Sequence, residues 1–425
     1  MSAPDPAETG GAPTRTSLAM LVAANLVSTV GGAMSLVALP WFVFSTTGDA
    51  ALTGVAASCE FAAVVVASTC AGWSIQRLGA RGTRVLSDLV SGVAVLAVPA
   101  LHALGALPFA LLLVLVAVNG FLRTPAVAAS YLLLAAAADR ARTTTDAVSG
   151  PYRASLALAG AIGAPVAGAA IAAAGAPLVL VGDAATFLAS AALVRAYLPR
   201  VVPEHRDDRS SPSVAGALRL VVRSPLLRLL VGTSVVLGVL SAAWGTVIAP
   251  VYGTEVLRSA SALGAVLAAQ SAGAILGSWT GTRVERLLPL RWLAPLAVAT
   301  AFVPMFLALA RSAPLGVMLP VAFAFGAATG VYGTVLVNIE YATVPPDQQG
   351  HVFGVLTALA QTSAAVGPLL AGGVVAASSL RAFALAAAVV GLATAGVLLA
   401  ARPLREPWRS PTDAGRRAVG ERQSR

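Results

Sequence analysis

One acidic residue lies deep inside an apolar segment of the sequence. Glu60 falls near the midpoint of the apolar run 51–72. A carboxylate at that depth in a bilayer costs a few kcal/mol, and such residues usually mark the path of an ion or a substrate. Its chemistry would be to take up a proton on one side of a barrier and release it on the other. The competing interpretation is a neutral Glu60 that is hydrogen-bonded to a neighbouring helix.

Two further ionisable residues in apolar runs are candidates for coupling to protons. Asp183 lies about a third of the way into the run 177–197, where a structural hydrogen bond is favoured over proton coupling. Arg123 lies near the inner end of the run 106–127. Its guanidinium either binds an anionic group in a cavity or reaches out to the aqueous surface. Both interpretations of Arg123 remain open.

The composition indicates a chain whose surface mostly faces lipid. Hydrophobic residues make up 57% of it, charged residues only 11%, and the mean hydropathy is +0.83. A soluble domain carries roughly 25% charged residues.

The 28 basic residues are all arginine, so a Walker A loop and Schiff-base chemistry are excluded. His102, His205 and His351 are scattered and no Gly-x-Ser-x-Gly motif occurs, so neither a metal site nor an enzyme is expected.

The apolar residues fall into twelve runs, each long enough for a membrane-spanning helix of about 20 residues. The predicted spans are 18–44, 51–72, 85–103, 106–127, 150–173, 177–197, 227–251, 260–282, 291–310, 315–338, 353–376 and 381–401. The predicted organisation is a disordered cytoplasmic N-terminus (1–17), a six-helix bundle (18–197), a cytoplasmic linker (198–224), a second six-helix bundle (225–401) and a basic cytoplasmic tail (402–425).

The arginines are distributed unevenly between the two sides of these spans. The linker, the tail and the connections on the same side hold most of them, whereas the opposite side holds only Arg258, Arg311 and Arg381. Cytoplasmic loops carry the excess of basic residues in membrane proteins. We therefore expect a protein of the cytoplasmic membrane with both termini in the cytoplasm, and a basic charge that serves orientation and not nucleic-acid binding.

The two halves of the chain repeat each other in register. Pro40 corresponds to Pro250, Glu60 to Gln270, and Pro165 to Pro368, at separations of 203 to 210 positions. The Gln76-Arg77 pair corresponds in the same way to Glu285-Arg286. Parallel repeats related by an axis along the membrane normal are typical of secondary transporters, in which the substrate site lies between the halves.

The segment Gly72-Trp-Ser-Ile-Gln-Arg-Leu-Gly-Ala-Arg81 carries the most specific likeness to a known family. The sequence resembles the major facilitator superfamily over about residues 18–401, and most closely its drug:proton antiporter branch, which holds macrolide-efflux proteins and enterobactin exporters. The family pattern has Asp where Gln76 stands and often a basic residue where Ala80 stands.

The resemblance implies an all-α membrane protein of twelve transmembrane helices in two pseudo-symmetric six-helix bundles. It further implies a monomer that exports a small amphipathic molecule, such as a drug, siderophore or secondary metabolite, by alternating access. Proton antiport would drive it, with the proton gradient as energy source and no cofactor, and antibiotic resistance would be one consequence. The alternative is an energy-independent facilitator or importer of the same fold. A receptor or scaffold is disfavoured by the repeat.

Three groups of residues are assigned from the resemblance and from their positions in the spans. A cytoplasmic gate would hold the inner ends of the two halves together, although plain anchoring by basic residues is the alternative; it comprises Gly72, Gln76, Arg77, Gly79, Arg81, Arg84, Asp88, Glu285 and Arg286. Arg84 and Asp88 are spaced to form an ion pair on a helix. Small residues and prolines would let helices pack closely and bend, with a role in sealing left open; they are Gly160, Gly163, Pro165, Gly168, Gly367, Pro368 and Gly372.

Polar and aromatic side chains within the spans are candidates to line a substrate cavity. Ordinary hydrogen bonds between helices would explain each of them equally well. They are Asn25, Trp41, Asn119, Trp244, Gln270, Tyr332, Asn338 and Gln361.

Overall fold

The chain folds into helices that match the predicted spans closely. A computed structural model describes residues 14–68, 70–140, 145–198, 219, 221–344 and 348–404. Within these residues there are no strands, and eleven helices are long and apolar enough to cross a membrane. The expectation of an all-α multi-pass membrane protein is confirmed. Most of the predicted linker (198–224) and basic tail (402–425) lies outside the described residues.

The described residues separate into two compact units. The N-terminal unit takes in the residues up to 198 together with Ser259–Gly264, and the C-terminal unit takes in the rest. Helices of the N-terminal unit are α1 (Thr14–Thr47), α2 (Ala50–Ala67), α3 (Ala71–Ala103), α4 (Phe109–Arg140) and α5 (Thr145–Tyr197). Helix α1 begins at Thr14, whereas the sequence predicts disorder to residue 17. Adding residues to an existing helix is favourable once it is nucleated, so the polar residues before the apolar run can continue it.

Two glycines divide long helical stretches at points where the sequence predicts separate spans. Gly175 (φ 81°, ψ 157°) divides α5 between the predicted fifth and sixth spans, and Gly79 (φ 71°, ψ 163°) divides α3. Positive φ is accessible to glycine because it lacks a Cβ. The segment 73–84, which lies between two predicted spans, is therefore helical on both sides of a single kinked residue.

Helix α2 places Glu60 on its buried face. Asp49 caps the helix by accepting hydrogen bonds from the backbone N–H groups of Ala51 (2.7 Å) and Leu52 (3.3 Å). The buried residues then recur at three- and four-residue intervals, as on one face of an α-helix: Thr53, Ala56, Ala57, Glu60, Val64 and Ala67. The periodicity makes Glu60 part of the packed interior and not of the lipid-facing surface.

The C-terminal unit contains the remaining helices. They are α6 (Pro225–Ala243), α7 (Ala249–Glu255), α8 (Ala260–Leu287), α9 (Leu290–Ala310), α10 (Leu315–Thr343), α11 (Gln349–Ala377) and α12 (Leu380–Ala400). Residues 260–264 at the start of α8 are the exception and belong to the N-terminal unit. A π-helical turn, Trp244–Ile248, joins α6 to α7, so these three elements together form the predicted seventh span. Pro250 follows directly, and its missing N–H removes one α-helical hydrogen bond at this point.

Glycines bring α8 and α10 into backbone contact. A Cβ on Gly277 would overlap the carbonyl oxygen of Ala327, and a Cβ on Gly326 would overlap that of Gln270. Small residues allow such close packing of helices in membranes. Helix α10 also runs five residues beyond the predicted end at 338, to Thr343.

Candidate functional site

The Glu60 side chain lies at a pocket inside the N-terminal unit. All five helices of this unit contribute to the lining of the pocket. Its lining residues are Ser35, Leu39, Glu60, Ala94, Val95, Val98, Leu115, Val116, Asn119 and Leu180. Most of these side chains are apolar, and Ser35, Glu60 and Asn119 supply the polar atoms. A mostly apolar pocket with a few polar groups is typical of a small-molecule site.

The Glu60 carboxylate is buried without a fixed partner. Its side chain is 8% exposed and makes no hydrogen bond or ion pair with any residue that the structure describes. The charges of Arg123 and Asp183 act on it from α4 and α5. Gly120 brings α4 close, since a Cβ there would overlap the Glu60 carbonyl oxygen. The carboxylate is thus free to exchange a proton, with a cation nearby.

Asp183 is held by hydrogen bonds behind this pocket. Its side chain is fully buried, and it accepts hydrogen bonds from the hydroxyl of Ser35 on α1 and from Thr186 Oγ1 at 3.2 Å. Gly31 of α1 packs directly against Asp183 and Thr186. This geometry favours the structural interpretation, in which Asp183 ties α1 to α5. The proton-coupling role stays a prediction.

Arg123 is exposed, although its charge acts on both Glu60 and Asp183. The guanidinium is therefore accessible and electrostatically linked to the pocket at the same time. Both interpretations of Arg123 are compatible with this position. An arginine that can approach or leave a buried carboxylate is well suited to modulate its charge.

Two of the predicted gate residues form a buried polar cluster within the N-terminal unit. Arg84 is 5% exposed; its Nε donates to Asp88 Oδ2 at 2.8 Å, and its Nη1 donates to Ser130 Oγ at 2.7 Å. Its Nη2 donates to Ser190 Oγ at 3.2 Å, and that hydroxyl donates in turn to Asp88 Oδ2 at 2.7 Å. The predicted ion pair is present. Because it joins α3, α4 and α5 in the interior, its geometry favours a structural role over that of a latch.

The other gate residues lie nearer the surface. Arg77 stacks over the ring of Trp73 at 5.0 Å, and Arg81 donates to the carbonyl of Arg195. In the C-terminal unit, Asn338 donates to Glu285 Oε2 at 2.9 Å. Gly72, Gln76 and Arg286 are exposed, and Gly79 is the kink of α3. A gate between the two halves therefore remains a prediction for these residues.

Comparison with known proteins identifies the family. The family model described as Major Facilitator Superfamily matches residues 21–359 and 245–423. The chain belongs to this superfamily. A curated relative in Mycolicibacterium fortuitum, "Multidrug efflux pump Tap", is 29% identical over 87% of this chain and 91% of its own length. The protein of the same name in Mycobacterium tuberculosis (strain ATCC 25618 / H37Rv) is 28% identical over 95% of this chain and 98% of its own.

Solved structures of the superfamily share the fold. The nucleoside transporter NupG covers 90% of this chain and 98% of its own, with a TM-score of 0.75 at 13% identity. A bacterial homologue of the human lysosomal transporter Spinster covers 94% of this chain and all of its own, with a TM-score of 0.71 at 15% identity. The chain is therefore a multi-pass transporter of the plasma membrane and not an enzyme.

Two of the small residues assigned to helix packing in this major facilitator protein lie at close contacts between helices. A Cβ on Gly163 would overlap Ala33, and a Cβ on Gly367 would overlap the carbonyl oxygen of Val239. Pro368 is buried beside Gly367, Gly168 and Gly372 are buried, and Pro165 is half-buried. The side-chain environment of Gly160 lies outside the description. Sealing against protons stays a prediction.

The cavity candidates mostly pair with other polar groups of their own unit. Trp244 Nε1 donates to Gln270 Oε1 at 2.9 Å, beside the π-helical turn. Tyr332 and Thr233 share a hydrogen bond of 3.1 Å, and Asn25 donates to Ser155 at 3.2 Å. Asn119 lines the Glu60 pocket, Asn338 binds Glu285, and Trp41 and Gln361 are half-buried. Asn119 is therefore the candidate that the structure brings to the Glu60 pocket.

Several residues of the sites were missed from the sequence. Ser35, Ser130 and Ser190 supply hydroxyls to buried carboxylates or to Arg84, but serine is common in spanning helices and carries no distinctive signal. Glu340 was also missed, and it is a buried acid of the C-terminal unit. It lies two residues beyond the predicted end of the tenth span, and the Val344-Pro345 pair marks the true helix end.

Proposed function

We propose that this transporter exports a small amphipathic molecule (a drug, siderophore or secondary metabolite) in exchange for protons, by alternating access. The observation that carries the proposal is the Glu60 carboxylate, which is buried at a pocket and has no fixed partner among the described residues. Similarity to two proteins named as multidrug efflux pumps supports export of a drug-like compound. The internal repeat of the sequence supports alternating access.

Glu60 is proposed as the group that carries the proton. An unpaired carboxylate in an apolar interior is costly when charged. Glu60 is therefore expected to be protonated while it is shielded from water on both sides of the membrane. Arg123 competes with the proton for Glu60, because its positive charge acts on the carboxylate from the neighbouring helix. A change in the distance between Arg123 and Glu60 during the transport cycle would therefore load or release the proton.

The Glu60 pocket is suited to part of an amphipathic substrate. Valine, leucine and alanine dominate its lining, which suits an apolar part of the substrate. Asn119 and Ser35 provide the hydrogen-bonding groups. Substrate and proton would then compete for one region, which is the simplest way to couple their movements.

The remaining features of the proposal come from the sequence. The proton gradient supplies the energy without a cofactor, both termini lie in the cytoplasm as the arginine distribution predicts, and the functional protein is a monomer. Arg77, Arg81 and Arg286 serve the cytoplasmic gate. The small-molecule substrate and the lipid bilayer are its only partners.

Proton movement in proteoliposomes tests this proposal. The purified protein is reconstituted with a pH-sensitive dye inside, and a panel of amphipathic drugs is added outside. Wild type is expected to show a drug-dependent pH change, and Glu60→Gln is expected to lose it while retaining its unfolding temperature. Glu255→Gln is the matched control, because Glu255 is an exposed acid at the end of α7. A full pH response in Glu60→Gln would refute the role of Glu60, and drug movement without any pH change would favour the facilitator.

A further inference from the structure

Two tryptophan–arginine pairs lie on the surface of the C-terminal unit, where α8 is joined to α9. The guanidinium carbon of Arg283 lies 5.3 Å from the centre of the Trp279 ring, and that of Arg291 lies 5.8 Å from the Trp292 ring. The residues 288–289 alone separate the two helices, so both arginines lie within about one helical turn of the same connection. The two pairs therefore mark the same end of α8 and α9.

The exposed face of α8 changes from apolar to basic toward this end. Ile275 and Leu276 are exposed, Trp279 follows one turn later and is 69% exposed, and Arg283 follows after one more turn. The distance from Ile275 to Arg283 along the helix axis is roughly 12 Å. Exposed aliphatic side chains of a spanning helix contact lipid tails, and tryptophan is enriched at the level of the headgroups. The Arg283 guanidinium is therefore expected at the depth of the lipid phosphates.

The N-terminal unit contains a copy of the same arrangement. Trp73 precedes Arg77 by four residues, as Trp279 precedes Arg283, and the two copies are 206 positions apart, within the range of the internal repeat. The distance from the guanidinium carbon to the ring centre is 5.0 Å in the first copy and 5.3 Å in the second. The stacked geometry thus occurs at equivalent places in the two halves, on the side of the membrane that holds most of the arginines.

The arginines at the α8–α9 connection form no ion pair within the described part of the chain. Arg283, Arg286 and Arg291 are all exposed there. Glu285 lies between the first two in sequence, but its carboxylate accepts a hydrogen bond from Asn338 of α10 at 2.9 Å. The exposed side chains at this connection therefore carry an excess of positive charge beside two exposed aromatic rings.

An arginine that is stacked on an aromatic ring keeps its N–H donors available. Stacking uses the flat face of the guanidinium, whereas the N–H groups point outward in its plane. That planar fork matches the oxygens of a phosphate group and binds them with two parallel hydrogen bonds. Basic sites at the ends of spanning helices attract anionic lipids in preference to lipids without net charge. The two stacked arginines therefore have the chemistry of a phosphate site at headgroup depth.

We propose that Arg283 and Arg291, each held over its tryptophan, bind the phosphate of an anionic phospholipid. Ile275 and Leu276 contact the acyl chains of the same lipid. The arginine distribution assigns this end of α8 to the cytoplasmic leaflet. The site belongs to the C-terminal unit, and the inference does not depend on the proposed export or on proton coupling.

Quenching of tryptophan fluorescence by brominated lipid tests the proposal. The full-length protein is reconstituted in vesicles of phosphatidylcholine with a minor fraction of phosphatidylglycerol. Bromine is carried either by the phosphatidylglycerol or by an equal amount of the phosphatidylcholine, so the surface charge and the bromine content are the same in both preparations. All proteins carry Trp73→Phe, because Trp73 has its own stacked arginine. The brominated phosphatidylglycerol is expected to quench the reference protein more strongly.

Matched variants separate a phosphate site from general attraction by positive charge. Arg283→Gln combined with Arg291→Gln is expected to weaken phosphatidylglycerol binding by about tenfold or more, as for loss of charge-assisted hydrogen bonds. Arg311→Gln combined with Arg381→Gln is the control, because it removes two exposed arginines that stack on no ring among the described residues. The control is expected to bind as the reference does. Replacing Arg283 and Arg291 with lysine should restore binding only in part, since lysine lacks the planar fork.

Four results would overturn the inference. They are equal quenching of the reference protein by the two brominated lipids, full binding in the double glutamine variant at residues 283 and 291, an equal loss in the control, and full binding in the lysine variant. Unfolding temperatures identify a glutamine variant that fails to fold, in which case the lysine variant decides. Soluble glycerol phosphate is expected to leave the quenching unchanged, and displacement of the lipid by it would assign the site to a free phosphate compound instead.

Discussion

Two buried carboxylates of the N-terminal unit have opposite surroundings. Asp88 accepts hydrogen bonds from Arg84 at 2.8 Å and from Ser190 at 2.7 Å. Glu60 is buried to a similar degree, but it lies at a pocket and makes no hydrogen bond with the described residues. A carboxylate with permanent donors contributes to the architecture, whereas one without them can exchange a proton or a ligand. The presence or absence of hydrogen-bond donors therefore distinguishes structural from functional carboxylates better than their burial does.

The largest expected effect comes from breaking the satisfied cluster. Arg84→Met leaves Asp88 buried with Ser190 as its remaining donor, and it removes the link from α3 to Ser130 on α4. Loss of one partner of a buried ion pair costs about 3–5 kcal/mol of unfolding free energy. Denaturant titration in detergent measures it.

A double variant sharpens that prediction. Arg84→Met combined with Asp88→Leu removes both charges, and apolar replacements of a buried pair are often close to neutral. The double variant is therefore expected to be more stable than Arg84→Met alone. Equal or lower stability would show that the cluster is not the balanced ion pair described above.

An intermediate effect is expected at the contact that positions Glu60. A Cβ on Gly120 would overlap the Glu60 carbonyl oxygen, so Gly120→Ala should separate α4 from α2. Overpacking costs about 1–3 kcal/mol of unfolding free energy. Proton transport through the displaced Glu60 should also be slower. Gly182→Ala is the matched control, since its Cβ would meet nothing within 4 Å. Equal stability and proton flux in the two variants would show that this contact does not position Glu60.

The smallest effect is expected at Arg77, an exposed arginine of the segment 72–81. Arg77 stacks over the Trp73 ring at 5.0 Å, and Trp73 is 60% exposed. Trp73→Leu should cost about 0.5–1 kcal/mol, the range for exposed cation–π contacts. Thermal unfolding of Trp73→Leu and Arg84→Met, measured side by side, compares their losses of stability. If Trp73→Leu lost as much stability as Arg84→Met, the exposure of Arg77 would not explain a difference between Arg77 and Arg84.

The sequence predicts the helical spans well because the apolar runs are long and uninterrupted. It also predicts the burial of Glu60 and the pairing of Arg84 with Asp88, since both follow from local helix spacing. The kinks at Gly79 and Gly175 are harder to place, because glycine is abundant in the spans and only the backbone reveals a positive φ.

The contacts between distant segments were beyond prediction. Ser130 and Ser190 lie 46 and 106 residues from Arg84 in the chain, and no local pattern distinguishes them from other serines. The predicted tenth span ends at 338 and leaves out Glu340, whereas helix α10 continues to Thr343, directly before Val344-Pro345. A rule that extends helices up to the residues preceding proline would have included it.

The most direct test of the account separates substrate movement from proton coupling in Glu60→Gln. Proteoliposomes loaded with unlabelled substrate are given labelled substrate outside, first without and then with an imposed pH gradient. Glu60→Gln is expected to retain exchange without the gradient and to lose the accumulation that the gradient drives in wild type. Gradient-driven accumulation at the wild-type level in Glu60→Gln would contradict the assignment of Glu60 as the proton carrier.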